Sequence, residues 1–321
     1  MKTMARKNKN AFTLIELLVV VSIIALLISI ALPSFSRAKV QAKVVDSRQL
    51  ISNLEAGIES YRAERALGGR VPPSSSDADP NIGDVGFNTY IDPLDNSGEV
   101  IPSTGAALLV LALVGPDNNG TAGFRPDASH PDGSKATWAD SIGGTGSGGL
   151  YDTNNGNSGT RVTPAPRYGP YAGASAMKRV SSIQEIKKNG FRAPNFDEHQ
   201  REQKVFADLF DSPILYFRAR KAARQMVTGG GSVGIYDHID NAPLTTFVDS
   251  EHRIALAGNG TYANPPNTFD SFIIDRKASG CDESNPAVCL RAIPYRPQDF
   301  LLISAGPDGK WGTKDDVTNW K

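Results

Sequence analysis

The chain has few of the residues from which catalytic and metal sites are usually built. Its 321 residues include two cysteines and four histidines, and His130, His199, His238 and His252 are scattered along it. His199 and Glu202 stand three apart, but no further ligand follows at zinc-site spacing. There is no glycine-rich phosphate loop, no G-x-S-x-G elbow and no cysteine–histidine pair with an orienting acid. An enzyme is therefore not expected. Net charge is missing as well, with 34 basic residues against 34 acidic ones. Four of the basic residues, Lys2, Arg6, Lys7 and Lys9, fall in the first eleven, where no acid occurs. The remainder keeps 30 basic residues against 34 acidic. A region with that balance has no electrostatic footprint for nucleic acid.

Long apolar runs are missing too, except for one. Phe12 to Leu32 holds 21 residues with a single charge, Glu16. As a helix it would be about 32 Å long at roughly 1.5 Å per residue, enough for a bilayer core. A carboxylate in such a segment is expensive and by default marks a function. Basic residues flank both ends of the span but are denser before it, which places residues 1–11 in the cytoplasm. An ordinary secretory signal carries a small-residue cleavage site after its apolar core. Here the small-residue junction, Ala11–Phe12, precedes the core. Cleavage there would remove the basic leader and keep the apolar helix as an anchor.

The stretch Ala11-Phe12-Thr13-Leu14-Ile15-Glu16-Leu17-Leu18, with the apolar run and Pro33 behind it, resembles the class III signal of type IV prepilins and type II secretion pseudopilins. The family usually has Gly before the cut, where this chain has Ala11. The resemblance implies cleavage by a prepilin peptidase between Ala11 and Phe12, N-methylation of Phe12, and anchoring by a single pass in the inner membrane with the soluble part in the periplasm. It also implies that Glu16 pairs with the terminal amine of a neighbouring copy during assembly. Two buried opposite charges neutralise each other in register, and misregistered packing leaves both unpaired.

Beyond Pro33 the apolar positions Val40, Val44, Ser47, Ile51, Leu54, Ile58 and Tyr61 alternate spacings of four and three, with Ser47 the weak member. This predicts one stripe on a continuous helix. Gly68-Gly69 and then Pro72-Pro73 end it. A leader (1–11), a membrane helix (12–33) and an amphipathic stalk (34–67) are thus expected. A loop-rich insert (68–205) and an antiparallel-sheet domain (206–321) follow. The expected class is α+β and pilin-like, a long N-terminal helix on a small antiparallel sheet with large loop insertions. Within these regions, Ser103/Thr104 cap a short buried helix over 105–114. Residues 143–159, rich in glycine and asparagine, read as a loop. Asp197–Leu209 reads as a mostly exposed helix, and Ile214–Ala219, Phe272–Asp275 and Phe300–Ser304 read as strands. Gly115 to Gly120 reads as a polar turn.

Phe300–Ser304 opens into Gly306-Pro307-Asp308-Gly309 and then Lys310-Trp311-Gly312-Thr313-Lys314-Asp315-Asp316. Carboxylates separated by glycines can converge on a hard cation. The spacing is not that of an EF-hand. With its Asn319-Trp320 ending, the segment is similar to the C-terminal calcium loop of major pseudopilins. Gly169-Pro170-Tyr171 and Asp211-Ser212-Pro213 are partial matches to other landmarks of theirs. The resemblance implies calcium held by Asp308, Asp315 and Asp316 with a carbonyl near Ser304. Cys281 and Cys289, close together in a loop on the oxidising side, are expected to form a disulfide. The expected function is a pseudopilus subunit that helps protein export. Its partners would be a prepilin peptidase, further copies and minor pseudopilins, an inner-membrane assembly platform and a cytoplasmic ATPase. A type IV pilin of a surface pilus is the alternative, and a membrane-anchored enzyme a more distant one.

Overall fold

The computed structural model describes residues 14–65, 69, 71–72, 74, 89–91, 100–102, 104–115, 118–121, 168–188, 203–220, 234–245, 269–281 and 291–320. The chain divides into two compact units, Met1–Val45 and Asp46–Lys321. Helix α1 (Leu14–Ala63) runs for 50 residues, about 75 Å at roughly 1.5 Å per residue. The sequence leads one to expect an interruption at Pro33. The helix instead continues through it, at the cost of one missing amide donor in the ladder.

Along α1 the side chains change environment. Leu14, Ile15, Leu17, Leu18 and the apolar residues up to Ile28 are exposed, as are Leu32, Phe35 and Val45, while Val44 is half-buried. From Ser47 the expected stripe is buried, with Ile51, Leu54, Ile58 and Tyr61 all closed off from solvent. Val40, at the start of that stripe, is exposed. The weak position is explained by its neighbour, because the Ser47 hydroxyl accepts the Leu209 amide at 3.5 Å. Gly57 lets the helix come close to the chain beside it. A Cβ there would sit 3.1 Å from the Tyr171 carbonyl oxygen. Tyr61 and Tyr171 meet edge to face at 5.7 Å. The helix ends at Ala63, a turn before Gly68, which itself lies outside the described residues.

The second unit builds its core around a short helix and a small sheet. Helix α2 (Gly105–Leu113) is buried at every position, as a nine-residue apolar run demands. Thr104 caps it, accepting the Ala107 amide at 3.2 Å; Ser103 lies outside the described residues. The Asn241 side chain ties the same end to a neighbouring strand. It accepts from the Ala106 amide at 3.0 Å and donates to the Tyr216 carbonyl at 2.7 Å. Beyond α2 comes a tight turn. Gly115 has φ +81°, and a Cβ there would lie 2.0 Å from the Gly120 carbonyl oxygen.

The sheets are all antiparallel. Strands β1 (Thr89–Ile91) and β2 (Val100–Pro102) pair. After α3 (Ala174–Met177), β3 (Val180–Ser182) and α4 (Ile183–Lys188), strand β4 (Lys204–Phe206) pairs with β3. The third sheet has the order β5-β6-β7, from β5 (Leu215–Arg218), β6 (Phe300–Ser304) and β7 (Val317–Thr318). Leu215 faces Ile303, and Ser304 faces Val317. Between β5 and β6 lie a 3-10 turn (His238–Asn241), α5 (Ala242–Thr245) and α6 (Phe269–Ile273). Val205, Phe217, Leu301, Ile303 and Trp311 share one core, with the Phe217 and Phe269 rings 4.7 Å apart. The architecture is α+β and pilin-like.

Two further expectations are corrected. Residues 204–206, placed on an exposed helix, are strand β4, with Val205 and Phe206 buried. Residues 190–202 lie outside the described residues. Of the expected strand Phe272–Asp275, Phe272 and Ile273 are the end of helix α6, and Ile274 makes only an isolated bridge to Pro294. The third strand of the main sheet is Val317–Thr318 instead.

Candidate functional site

Two places concentrate the features with functional meaning, the exposed start of α1 and the loop between β6 and β7. Glu16 lies in the first turn of α1; Ala11 and Phe12 lie outside the described residues. Among the described residues, α1 is the one helix long and apolar enough to cross a membrane. Three of its serines bond to carbonyls of the helix itself. Ser22 donates to the Val19 carbonyl at 2.8 Å, Ser29 to Leu26 at 2.7 Å and Ser36 to Leu32 at 3.3 Å. Hydrocarbon offers no partners, so a spanning segment has to satisfy its polar groups internally. Such a surface stays out of water only when lipid or another apolar chain covers it.

The second place is positioned by β6 and β7. Gly306 turns the chain with φ +64°, and a Cβ there would meet the Asp315 carbonyl oxygen at 2.4 Å. Asp308 and Asp315 come together. The Asp308 amide donates to Asp315 Oδ2 at 3.1 Å, and the Asp308 carboxyl is held above its usual range by partial desolvation, with the Asp315 charge adding to the effect. The Asp308 carboxylate itself accepts the Lys310 amide at 2.8 Å. Asp316 is buried and accepts the Gly312 amide at 2.7 Å. The Thr313 hydroxyl lies 2.5 Å from Asp315 Oδ1 and 3.2 Å from Asp316 Oδ1. Ser304 donates its hydroxyl to Asp208 at 2.7 Å, away from this loop. The loop is thus closed by its own hydrogen bonds. Among the described residues no group of three or more carboxylate, histidine or cysteine side chains is placed to hold a metal ion.

The C-terminal residues secure the end of the sheet to the stalk. Asn319 accepts the Leu302 amide at 3.0 Å and donates to Phe300 O and Glu55 Oε1, each at 3.3 Å. Arg296 pairs with Glu55 and with Asp299, and its guanidinium lies 4.8 Å from the centre of the Phe300 ring. Trp320 stacks on Tyr295 at 5.6 Å. The Asn319-Trp320 ending therefore has a structural task at the sheet edge.

Sequence reasoning missed Asp208. It is fully buried and accepts hydrogen bonds from Ser304 Oγ, the Phe210 amide (2.8 Å) and the Ser212 amide (2.9 Å). Burial pushes its carboxyl up, against the pull of those bonds. Arg179 donates to the Asp208 carbonyl. The signal was present in Asp208-Leu209-Phe210-Asp211-Ser212-Pro213. An aspartate that bonds the backbone two residues on is a turn former. Cys281 packs against the core, while Cys289 lies outside the described residues. No described cysteine is free.

Residues 6–32 match the family model described as a prokaryotic N-terminal methylation motif. The chain is also similar to "Prepilin peptidase-dependent protein A" of Clostridium perfringens (strain 13 / Type A), with 38% identity over 66 residues. That alignment covers 21% of this chain and 47% of the relative. The chain thus spans about half the length of the curated relative it matches. No solved structure matches it. The apolar helix and the motif fit a membrane-anchored protein. Together, the methylation motif, this relative and the α+β architecture support a type IV pilin-like protein.

Proposed function

We propose that this chain is a filament subunit, specifically a pseudopilin of a type II secretion system. Prepilin peptidase would cleave it at Ala11–Phe12 and methylate Phe12. One observation carries the reading. The methylation motif, residues 6–32, runs into a single 50-residue helix whose leading apolar residues are exposed and whose trailing stripe is buried. A subunit of this kind holds its exposed segment in the bilayer and exchanges lipid for neighbouring copies as it joins the filament. Glu16, in the first turn, meets the new terminal amine of an adjacent copy, so that charge pairing sets the register. Head-to-tail contacts that do not close leave the filament open-ended. Assembly platform, minor subunits and ATPase supply the energy and the starting point. In this reading the soluble part is periplasmic, and a Cys281–Cys289 disulfide forms there. The absence of a free cysteine among the described residues supports the bridge.

Calcium at Asp308 and Asp315 belongs to the same proposal. It is supported by the approach of these two residues and by the family resemblance. It requires Asp316 or the Ser304 carbonyl to turn toward the ion, so assembly is not routed through it.

The test is filament formation by the full chain and by Glu16→Val and Glu16→Asp in a host that carries the secretion machinery. The reading expects sheared filaments from the parent, none from Glu16→Val and partial recovery with Glu16→Asp. Filaments from Glu16→Val at the parental level contradict it. Loss of surface piliation with normal protein export on deleting the chain would favour the surface-pilus alternative.

A further inference from the structure

Between Glu16 and Asp46 the chain has no acidic residue, and the basic residues of that interval, Arg37, Lys39 and Lys43, all lie just beyond the apolar span. We infer that these cations form a collar that binds the anionic phospholipid headgroup layer around the emerging helix. The inference rests on the reading of Phe12–Leu32 as a membrane span. It adds a lipid ligand to that reading.

The geometry supports the collar in three ways. First, α1 continues unbroken through Pro33 to Ala63, so distance along it is fixed. Arg37 lies five residues beyond Leu32, about 7.5 Å at roughly 1.5 Å per residue, Lys39 about 10.5 Å beyond, and Lys43, at about 16.5 Å, forms the outer rim. Headgroup layers occupy roughly 5–7 Å on each side of the hydrocarbon. Second, Cα–Cβ bonds on a helix tilt toward its N-terminus. Long cationic side chains placed after the span therefore lean back toward the headgroups and can snorkel to them. Third, the positions are spread around the axis. At about 100° per residue Lys39 and Lys43 share one side, and Arg37 is nearly opposite. A ring of cations fits a surface that surrounds the helix better than a one-sided protein groove. Arg37 and Lys39 are exposed, and neither has an ion-pair partner among the described residues, whereas Lys43 is half-buried and has a contact of its own. Phe35, just before them and 73% exposed, places an apolar ring at the boundary.

The test reconstitutes the full chain in bilayer nanodiscs of phosphatidylcholine and phosphatidylglycerol in equal amounts. Lipids retained on the protein are counted by native mass spectrometry, and insertion is checked by carbonate extraction from matching vesicles. The variants are Arg37→Gln/Lys39→Gln/Lys43→Gln and a control, Lys178→Gln/Lys277→Gln/Arg291→Gln, that removes equal charge from the second unit. The parent and the control should be enriched in phosphatidylglycerol. In the collar variant the enrichment should fall at least about tenfold, since each cation near the surface contributes roughly fivefold. Equal enrichment in parent and collar variant overturns the collar, as does an equal loss in the control. An inserted parent with no lipid preference overturns the collar alone and leaves an acidic protein as the partner of these residues. A parent extracted by carbonate overturns the span and the collar together.

Discussion

One helix holds two kinds of apolar surface. In residues 14–29 of α1, leucines, isoleucines and valines stand exposed, Leu26 at 62% among them. In residues 46–63 of the same helix, Leu54 and Ile58 are fully buried. Helix propensity does not distinguish the two stretches; what differs is which positions are apolar. The first is apolar on every side, broken only by Glu16, Ser22 and Ser29, a pattern that no single globular domain can cover. The second is apolar on one stripe, which its own unit covers. The hydrophobic effect acts on both, but in the first the covering material has to come from outside the chain. An all-round apolar stretch joined to a one-sided stripe is what lets a subunit reside in a bilayer and later in a filament.

The comparison is broken most strongly by deleting side chains from each stretch. Leu54→Ala should destabilise the second unit by about 3 kcal/mol, the usual cost of a truncated buried leucine. Leu26→Ala should leave that unit within about 0.5 kcal/mol of the parent. Urea unfolding of the full chain in detergent, followed by near-ultraviolet circular dichroism, reads both, and equal losses would erase the distinction.

Asp208 sharpens the account of the covered unit. Asp208→Ala leaves the Ser304 hydroxyl and two backbone amides without their acceptor and should cost about 2–3 kcal/mol. The carboxyl is pushed up in the folded state, so the native chain takes up its proton more readily than the unfolded chain. Its stabilising share is therefore full below the ordinary carboxylate range and is lost as pH rises through the raised value. The parent should gain stability relative to Asp208→Asn on acidification from neutral pH, as read by unfolding across a pH series. A gap that does not change with pH would contradict this.

Gly306→Ala forces a Cβ into the Asp315 carbonyl at a left-handed position. It should cost about 2 kcal/mol and disturb the loop locally, visible as loss of amide protection at 306–316 in hydrogen exchange. The smallest effect is expected at Arg62. Its half-exposed contacts with Glu59 and Asp299, each 3.6 Å, predict a change within about 0.5 kcal/mol for Arg62→Gln. A loss of several kilocalories there would show that the rim of the stalk carries load assigned here to the stripe.

Much of this architecture was legible because long periodic signals outweigh local ambiguity. The stripe from Ser47 to Tyr61, the capped run at 105–113 and strand Phe300–Ser304 all appear where periodicity or composition puts them. Phe269-Asp-Ser-Phe-Ile carries apolar residues at i, i+3 and i+4, a helical spacing. The adjacent Ile273-Ile274 pair, by contrast, has the β-branched character of a strand. Strand β4 has three residues, too few for an alternation to register against the polar stretch before it. The candidate site was only partly legible. Asp308, Asp315 and Asp316 do share one loop, but sequence could not show that backbone amides occupy their oxygens. Ser304 was placed near the loop by sequence order, yet its hydroxyl is turned to Asp208 by a contact 96 positions away in the chain.

The most direct test of the central claim is the identity of the mature N-terminus. The full chain is co-expressed with a prepilin peptidase, purified from membranes, and its first peptide is read by mass spectrometry. The account predicts a chain that begins at N-methylated Phe12, with residues 1–11 gone. An intact leader, or a cut on the far side of the apolar run, would contradict it.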